Sequence, residues 1–327
     1  MSGALVQQLA GYLSATETRS GEAIATRLGC SRAAVWKHVE SLRQLGIEVD
    51  AVAGQGYRLK EPLELLDKPL VLAAVDPAIV PKIGRLDIES SIDSTNSALR
   101  RSPLDEQHAS VMLAEHQSGG RGRRDRQWHS PYGRNLYMSL GWKFDQSLSE
   151  LGCLPLVVAL AAAKALASAG LKGHSVKWPN DLMLDGRKLC GCLVEIQGDV
   201  HGPCHAVMGV GINIHMPATV ATAEIDQPWT DVHSRLPQVS RNKLAGMLIA
   251  GLFHDIELFS QNGFEPFRQD WNLWDGLQDR QIDVYADSGP IHGIARGIDN
   301  RGALLLDTGK EQLKLYSGDV SLNRRNI

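Results

Sequence analysis

Apolar positions in the first sixty residues recur with a helical period. Leu5, Leu9 and Leu13 lie four apart and mark one face of a helix. A second short helix is expected over residues 22–28, with Gly29 as its C-terminal cap and Ser31 as the N-cap of a third. The third runs over 32–45, places Val35, Val39 and Leu42 at i, i+4 and i+7, and ends at Gly46. Residues 47–52 and 57–59 form two strands around a Gly54-Gln55-Gly56 turn.

From about Asp67 the pattern changes. Strand-like runs over 111–115, 135–142, 189–196 and 206–214 alternate with helical ones. The helix over 155–169 is Ala-rich and expected to be buried; another over 240–259 carries Leu244, Leu248, Leu252, Ile256 and Phe259 on one face. Asp185-Gly186 signals a two-residue hairpin. After Trp274 only short strands remain, over 281–286, 290–297, 303–307 and 312–316, separated by Gly- and Asp-containing turns. This predicts a small SH3-like β-barrel. The expected class is α+β in three parts: a winged helix-turn-helix over 1–66, a mixed α/β domain over 67–274 and the barrel over 275–327.

Composition adds bounds. A chain of 327 residues, 43% hydrophobic and 22% charged, has the makeup of globular rather than disordered protein. The apolar run over 151–163 is broken by Gly152 and Pro155 and is too short for a bilayer span. Residues 1–4 lack the basic-then-apolar order of a signal peptide. A net charge of −3 excludes a bulk basic nucleic-acid binder but allows a local DNA-reading module. Five scattered cysteines fit free thiols in a reducing cytoplasm.

In the N-terminal module, inward packing of Val35, Val39 and Leu42 turns Arg32, Trp36, Lys37 and Arg43 outward. With Ser31 at the helix start, these are the candidate DNA contacts, on a helix suited to the major groove. Residues 1–62 carry seven Lys/Arg against six Asp/Glu, so phosphate contacts are few and one copy binds weakly. A three-helix packing unit with a solvated basic face is the plainer alternative. Turn, cap, periodicity and wing in the right order favour DNA.

Gly119-Gly120-Arg121-Gly122-Arg123-Arg124-Asp125-Arg126-Gln127-Trp128 concentrates three glycines and four arginines. The glycines allow close backbone approach and the arginines offer forked donors to phosphate or carboxylate. The segment is expected to order around an anion as a lid; a solvated basic loop is the alternative. It matches neither the Walker A pattern nor G-x-G-x-x-G. Lys188, near Gly191 on the strand after the hairpin, is placed to join a carboxylate to an α-phosphate; alone it would be an ordinary solvated lysine. Asp93-Ser94-Thr95-Asn96 marks a helix start with several short polar side chains, serving either as a plain N-cap or as ligand contacts.

Together, Gly120-Arg121-Gly122-Arg123-Arg124 with Trp128 and Ser130-Pro131-Tyr132-Gly133, then Lys177-Trp178-Pro179-Asn180-Asp181, Arg187-Lys188-Leu189-x-Gly191 and Gly209-x-Gly211-Ile212-Asn213, resemble the biotin protein ligases. With the winged helix in front and the barrel behind, the chain is similar over its whole length to the bifunctional type that also represses the biotin operon. The resemblance implies a catalytic domain of the biotin/lipoate ligase type. It implies formation of biotinyl-5′-AMP from biotin and ATP with Mg²⁺, then transfer to a lysine of the biotin carboxyl carrier protein of acetyl-CoA carboxylase. It also implies an adenylate-bound homodimer on operator DNA.

The same resemblance implies biotin contacts from Ser94, Thr95, Asn96, Gln117, Arg121, Gly122, Arg123, Lys188 and Gly191. Adenylate or phosphate contacts would come from Gly120, Arg121, Arg123, Arg124, Trp128, Lys188, Asn213 and Trp229. Arg123, Lys188 and Asp181 would be catalytic, Asp181 orienting the incoming lysine; the metal-holding residues stay unassigned. Asp125 stands where the family has glycine, and His129 where close relatives have an apolar aromatic.

A carboxylate is already a nucleophile, so adenylation needs alignment and charge neutralisation rather than a triad. A lid that excludes water protects the mixed anhydride. Three alternatives stay open: a lipoate ligase, a metabolite-sensing repressor without catalysis, and a zinc protein built on Cys190, Cys192, Cys204 and His205.

Overall fold

The computed structural model describes residues 3–198, 202–217, 225, 227–286 and 289–322. The first three helices are α1 (Gly3–Tyr12), α2 (Gly21–Leu28) and α3 (Arg32–Gln44). Ser20 and Ser31 cap α2 and α3 by accepting from Ala23 N and Ala34 N, and Gly29 ends α2 in the left-handed conformation. Their apolar stripes meet in one core with Leu9, Ile24, Val35, Val39 and Leu42. The wing is an antiparallel hairpin of β1 (Val49–Val52) and β2 (Gly56–Leu59). Gly56 has φ +124°, and a Cβ there would stand 2.0 Å from the Arg19 carbonyl oxygen.

The central part opens with α4 (Lys68–Ala73), β3 (Arg85–Glu89), α5 (Thr95–Arg101), α6 (Leu104–Gln107), β4 (Ser110–Ala114) and β5 (Leu136–Phe144). It continues through α7 (Leu154–Ser168), β6 (His174–Lys177), β7 (Asp181–Leu184), β8 (Arg187–Gly198), β9 (Cys204–Ile212), α8 (Arg241–Asn262) and α9 (Arg268–Trp274). The four strand expectations, the Ala-rich helix and the amphipathic helix all have counterparts here. The short β3 and β6, and helices α4, α6 and α9, were not foreseen. The seven strands lie in the order β3-β4-β5-β9-β8-β7-β6, with only β3 and β4 parallel.

Period-two alternation gives this sheet two different faces. Met138, Leu140 and Trp142 of β5, Ala206, Met208 and Val210 of β9, and Cys190 and Cys192 of β8 join the core beneath α7 and α8. On the other face, toward α5, Ser139, Gly141, Gly209 and Gly211 are small, and Val207 packs with Leu99 and Met112. The segment Leu148–Ser168, which includes α7, is long and apolar enough to cross a membrane, beyond what the interrupted run suggested; 72% of its most apolar window is buried in this core.

The C-terminal sheet has strands β10 (Gln281–Ala286), β11 (Gly289–Ile298), β12 (Leu304–Asp307), β13 (Gln312–Leu315) and β14 (Asp319–Leu322), in the order β13-β12-β11-β10-β14. The fifth strand was not foreseen. Ile282, Val284, Leu304 and Leu306 belong to the same continuous core as the central sheet.

Candidate active site

A cleft of about 550 Å³ opens on the small-residue face of the sheet, within the range of small-molecule sites. Its floor follows from strand register. Tyr137 of β5 pairs with Gly211 of β9, which pairs with Gly191 of β8; the next row is Ser139, Gly209 and Leu193. Bare backbone in the first row makes room for an indole: a Cβ on Gly211 would lie 2.6 Å from the Trp128 ring, and one on Gly191 3.0 Å from it. In the second row a Cβ on Gly209 would lie 2.3 Å from Asn96 Oδ1. Each glycine of the Gly209-x-Gly211 motif thus seats one side chain.

At one end the cleft is polar and neutral. Ser94 caps α5 by accepting from Ser97 N, and it also lines the cleft, so cap and ligand wall coincide. Gln117 Oε1 accepts from Thr95 N at 2.9 Å and Thr95 Oγ1 at 3.1 Å, while its Nε2 donates to Ser130 Oγ. Ser139 Oγ lies 2.6 Å from Asn96 Oδ1 and 2.7 Å from Thr95 Oγ1. Tyr137 is fully buried, and that burial raises its phenol pKa.

At the other end the cleft is charged. Lys188 Nζ stands 2.9 Å from Asp181 Oδ1 and 5.5 Å over the Trp128 ring. Lys177 donates to Val320 O at 3.2 Å and lies 3.8 Å from Asp181; burial lowers its pKa. Arg123 donates to Asn180 Oδ1 at 3.1 Å and Gly318 O at 3.4 Å. Burial is the main influence on Arg123 and lowers its pKa, while Asp319 and Asp181 oppose that. The Trp229 segment runs beside Lys188, with Lys188 N donating to Pro228 O and Thr230 N to Lys188 O. The indole N–H groups of Trp128 and Trp229 are buried with no acceptor among the described residues. The Trp128 N–H lies against the sheet floor, where a Cβ on Gly211 would stand 2.7 Å from its nitrogen.

The arginine segment, expected to order around an anion, meets one that the protein itself supplies. Arg124 Nη1 and Arg126 Nη2 donate to Asp319 Oδ2 at 3.0 and 2.5 Å. Gly122 N bonds to Arg126 O and Trp128 N to Gly120 O, which closes the loop on itself. Arg124 and Asp125 have φ of +54° and +56°, so the family glycine at position 125 answers a left-handed backbone that Asp tolerates better than most residues.

Of the expected ligand contacts, Ser94, Thr95, Asn96, Gln117, Arg121, Gly122, Arg123, Trp128, Asp181, Lys188, Gly191, Asn213 and Trp229 come together around the cleft. Two do not line it. Arg124 turns to Asp319, and Gly120 serves the loop's own closure. Asn213 joins strands, donating to Thr230 O at 3.1 Å. Among the DNA candidates, Arg32, Trp36 and Lys37 are exposed on α3, and Ser31 is its cap. Arg43 is exposed too, but its guanidinium is engaged within the domain, with Nε and Nη2 donating to Val49 O and Nη1 pairing with Glu40. Asn180, Glu195 and Asp319 were missed. Cys190, Cys192 and Cys204 are buried cysteines.

Residues 89–213 match the Biotin/lipoate A/B protein ligase family, 6–58 an HTH domain, and 279–323 the Biotin protein ligase C terminal domain. The chain is 38% identical over 315 residues to the Bifunctional ligase/repressor BirA of Escherichia coli, covering 96% of each chain. It is 32% identical to the protein of that name from Bacillus subtilis, covering 93% of each. Its fold is similar to that of the Aquifex aeolicus biotin protein ligase solved with biotin and ATP, at TM-score 0.62 and 24% identity, over 73% of this chain and 99% of that one. The chain belongs to the family of bifunctional biotin ligase/repressors.

Proposed function

We propose that the cleft joins biotin to ATP, giving biotinyl-5′-AMP and pyrophosphate, and then passes the biotinyl group to a lysine of the biotin carboxyl carrier protein of acetyl-CoA carboxylase. The observation that carries this is the cleft's two-ended chemistry. Ser94, Thr95, Asn96 and Gln117 give a neutral ureido group short donors and acceptors, with Gly191 beside the ring. Arg123 and Lys188 meet a carboxylate and a phosphate at the other end, while Arg121 bonds Ser97 and Glu195 beside Asn96. Trp128 and Trp229 offer flat apolar surface with unspent N–H donors.

In the first step a biotin carboxylate oxygen attacks the α-phosphorus and pyrophosphate leaves with the electron pair of the broken bond. Lys188 and Arg123 neutralise charge as it grows on the phosphate oxygens. In the second step the carrier lysine, as free amine, attacks the acyl carbon and AMP leaves. Asp181, held at 2.9 Å by Lys188, is placed to receive and orient that amine. The two carboxylates lining the cleft among the described residues, Asp181 and Asp319, are already paired with cations, so neither suits Mg²⁺; we assign the metal to the nucleotide as delivered.

The exposed Arg32, Trp36 and Lys37, with Ser31 fixing the helix start, support reading of operator DNA by an adenylate-bound homodimer. The buried cysteines suit a cytoplasmic protein. Incubation with biotin, Mg-ATP and a purified carrier domain, followed by intact-mass analysis, should add one biotinyl group to the carrier. An unmodified carrier together with no biotin-dependent pyrophosphate release overturns the assignment; preference for lipoate in competition would redirect it.

A further inference from the structure

We propose that Glu195 is a positioning residue for the biotin end of the cleft: its carboxylate fixes the orientation of the Asn96 amide and holds Arg121, the first arginine of the lid, against the same wall. The inference rests on the ligase assignment above.

Glu195 stands on β8, on the cleft side of the sheet, with its side chain 18% exposed. Both carboxylate oxygens are in use. Oε1 accepts from Arg100 Nη1 at 2.7 Å and Arg121 Nη2 at 3.1 Å; Oε2 accepts from Asn96 Nδ2 at 2.8 Å. An ionised carboxylate can only accept, so of the two ends of the Asn96 amide only the NH₂ can face it. The second amide hydrogen goes to Leu193 O at 3.2 Å. Asn96 Oδ1 is thereby turned to Ser139 Oγ, which donates to it at 2.6 Å.

Ser139 has one proton. Spent on Asn96, it leaves Ser139 Oγ an acceptor toward Thr95. The Thr95 hydroxyl therefore sends its proton to the protein, to Ser139 Oγ or Gln117 Oε1, and keeps lone pairs for the cleft. A ureido N–H needs such an acceptor. From Thr95 the chain of hydrogen bonds continues through Gln117 and Ser130 to Trp128 O. It begins at Arg121 and ends at Trp128, so the donor–acceptor order that Glu195 imposes spans both ends of the lid. The hydrogen bonds of this chain end at the Trp128 carbonyl and include neither Asp319 nor Lys188, at the nucleotide end.

The test is steady-state biotin-dependent ATP–pyrophosphate exchange by the full chain, with melting curves alongside. Glu195→Gln should raise the KM for biotin about tenfold, the value of one charge-assisted hydrogen bond, with the KM for ATP and kcat within about twofold. Glu195→Asp, which keeps the charge, should recover part of the loss. Arg100→Gln, on the same carboxylate but outside the cleft, should match the unaltered chain. If Glu195→Gln does not fold, Glu195→Asp carries the test with the same split between the two KM values. An unchanged KM for biotin, or equal rises in both KM values with a lower melting temperature, overturns the inference. An unaltered chain that exchanges no pyrophosphate with biotin overturns the ligase assignment instead.

Discussion

Asp319, the first residue of the last strand of the C-terminal sheet, accepts a 3.0 Å hydrogen bond from Arg124, 195 residues earlier in the chain. Arg126 shares the same oxygen. The lid is therefore latched to the C-terminal sheet, and that sheet forms part of the active site. Partly exposed ion pairs are individually weak. Asp319→Asn should speed dissociation of biotinyl-5′-AMP by about two- to fivefold, measured by chasing labelled adenylate with unlabelled biotin and ATP. An unchanged dissociation rate removes Asp319 from lid closure.

Gly211→Ala is expected to be far more damaging than its single methyl suggests. The new Cβ would meet Trp128 ring atoms at 2.6 to 2.9 Å, on a strand paired on both sides. Neither the strand nor the indole can give way without moving the lid. Overpacking of this kind costs about 1–3 kcal/mol. Adenylate formation should fall by about tenfold or more, measured as pyrophosphate release, with far-UV circular dichroism unchanged. Activity equal to the unaltered chain would show that Trp128 is not needed over Gly211.

Glu64 gives the junction between the DNA-reading and catalytic parts a pH dependence. Burial raises its pKa, but hydrogen bonds from Ser240, Asn242 and Arg241 N outweigh that and hold it below its ordinary 4.5. A depressed carboxylate pKa contributes stability that is full above the unfolded value and is lost as pH falls through the folded one. Half-buried at the N-terminus of α8, the ionised group is worth about 1 kcal/mol. Glu64→Gln should therefore lower the melting temperature by about 2–4 °C at neutral pH, and the difference should shrink as the pH falls below the ordinary carboxylate range. A constant difference across that range would contradict the assignment.

Three cations of α3 separate by their surroundings. Arg32→Ala and Lys37→Ala should each reduce the slope of log affinity against log salt by about one on a generic duplex, followed by fluorescence anisotropy. Arg43→Ala should leave that slope unchanged and lower the melting temperature, because its guanidinium holds Val49 O. The opposite assignment of effects would return Arg43 to the DNA surface.

What the sequence made legible was local. The Leu5, Leu9 and Leu13 spacing, the Ser31 cap and the Gly-Arg lid lie within one or two turns of chain, so their physics is written in adjacent residues. What it hid was distance. Asp319 meets Arg124 across 195 residues, Glu195 meets Arg121 across 74, and Asn180 meets Arg123 across 57. No periodicity reports such pairings. The strand Asp319–Leu322 was passed over because four residues give too little alternation to recognise. Arg43 shows the same limit: its surface position was legible, and its carbonyl partner on the wing was not. The purpose of Gly209 and Gly211 emerged only across the sheet, where Asn96 and Trp128 take up the room they leave.

Tyr132 belongs by sequence to the catalytic segment, yet it is 1% exposed among Leu9, Ile24, Leu42 and Leu59 of the N-terminal core, with its hydroxyl 3.0 Å from Ser90 Oγ. Four positions earlier, Trp128 lies over the glycine floor of the cleft. The segment that seats Trp128 on the cleft floor thus also reaches the N-terminal core. A shift of the indole would therefore reach the packing of Tyr132 through four residues of chain.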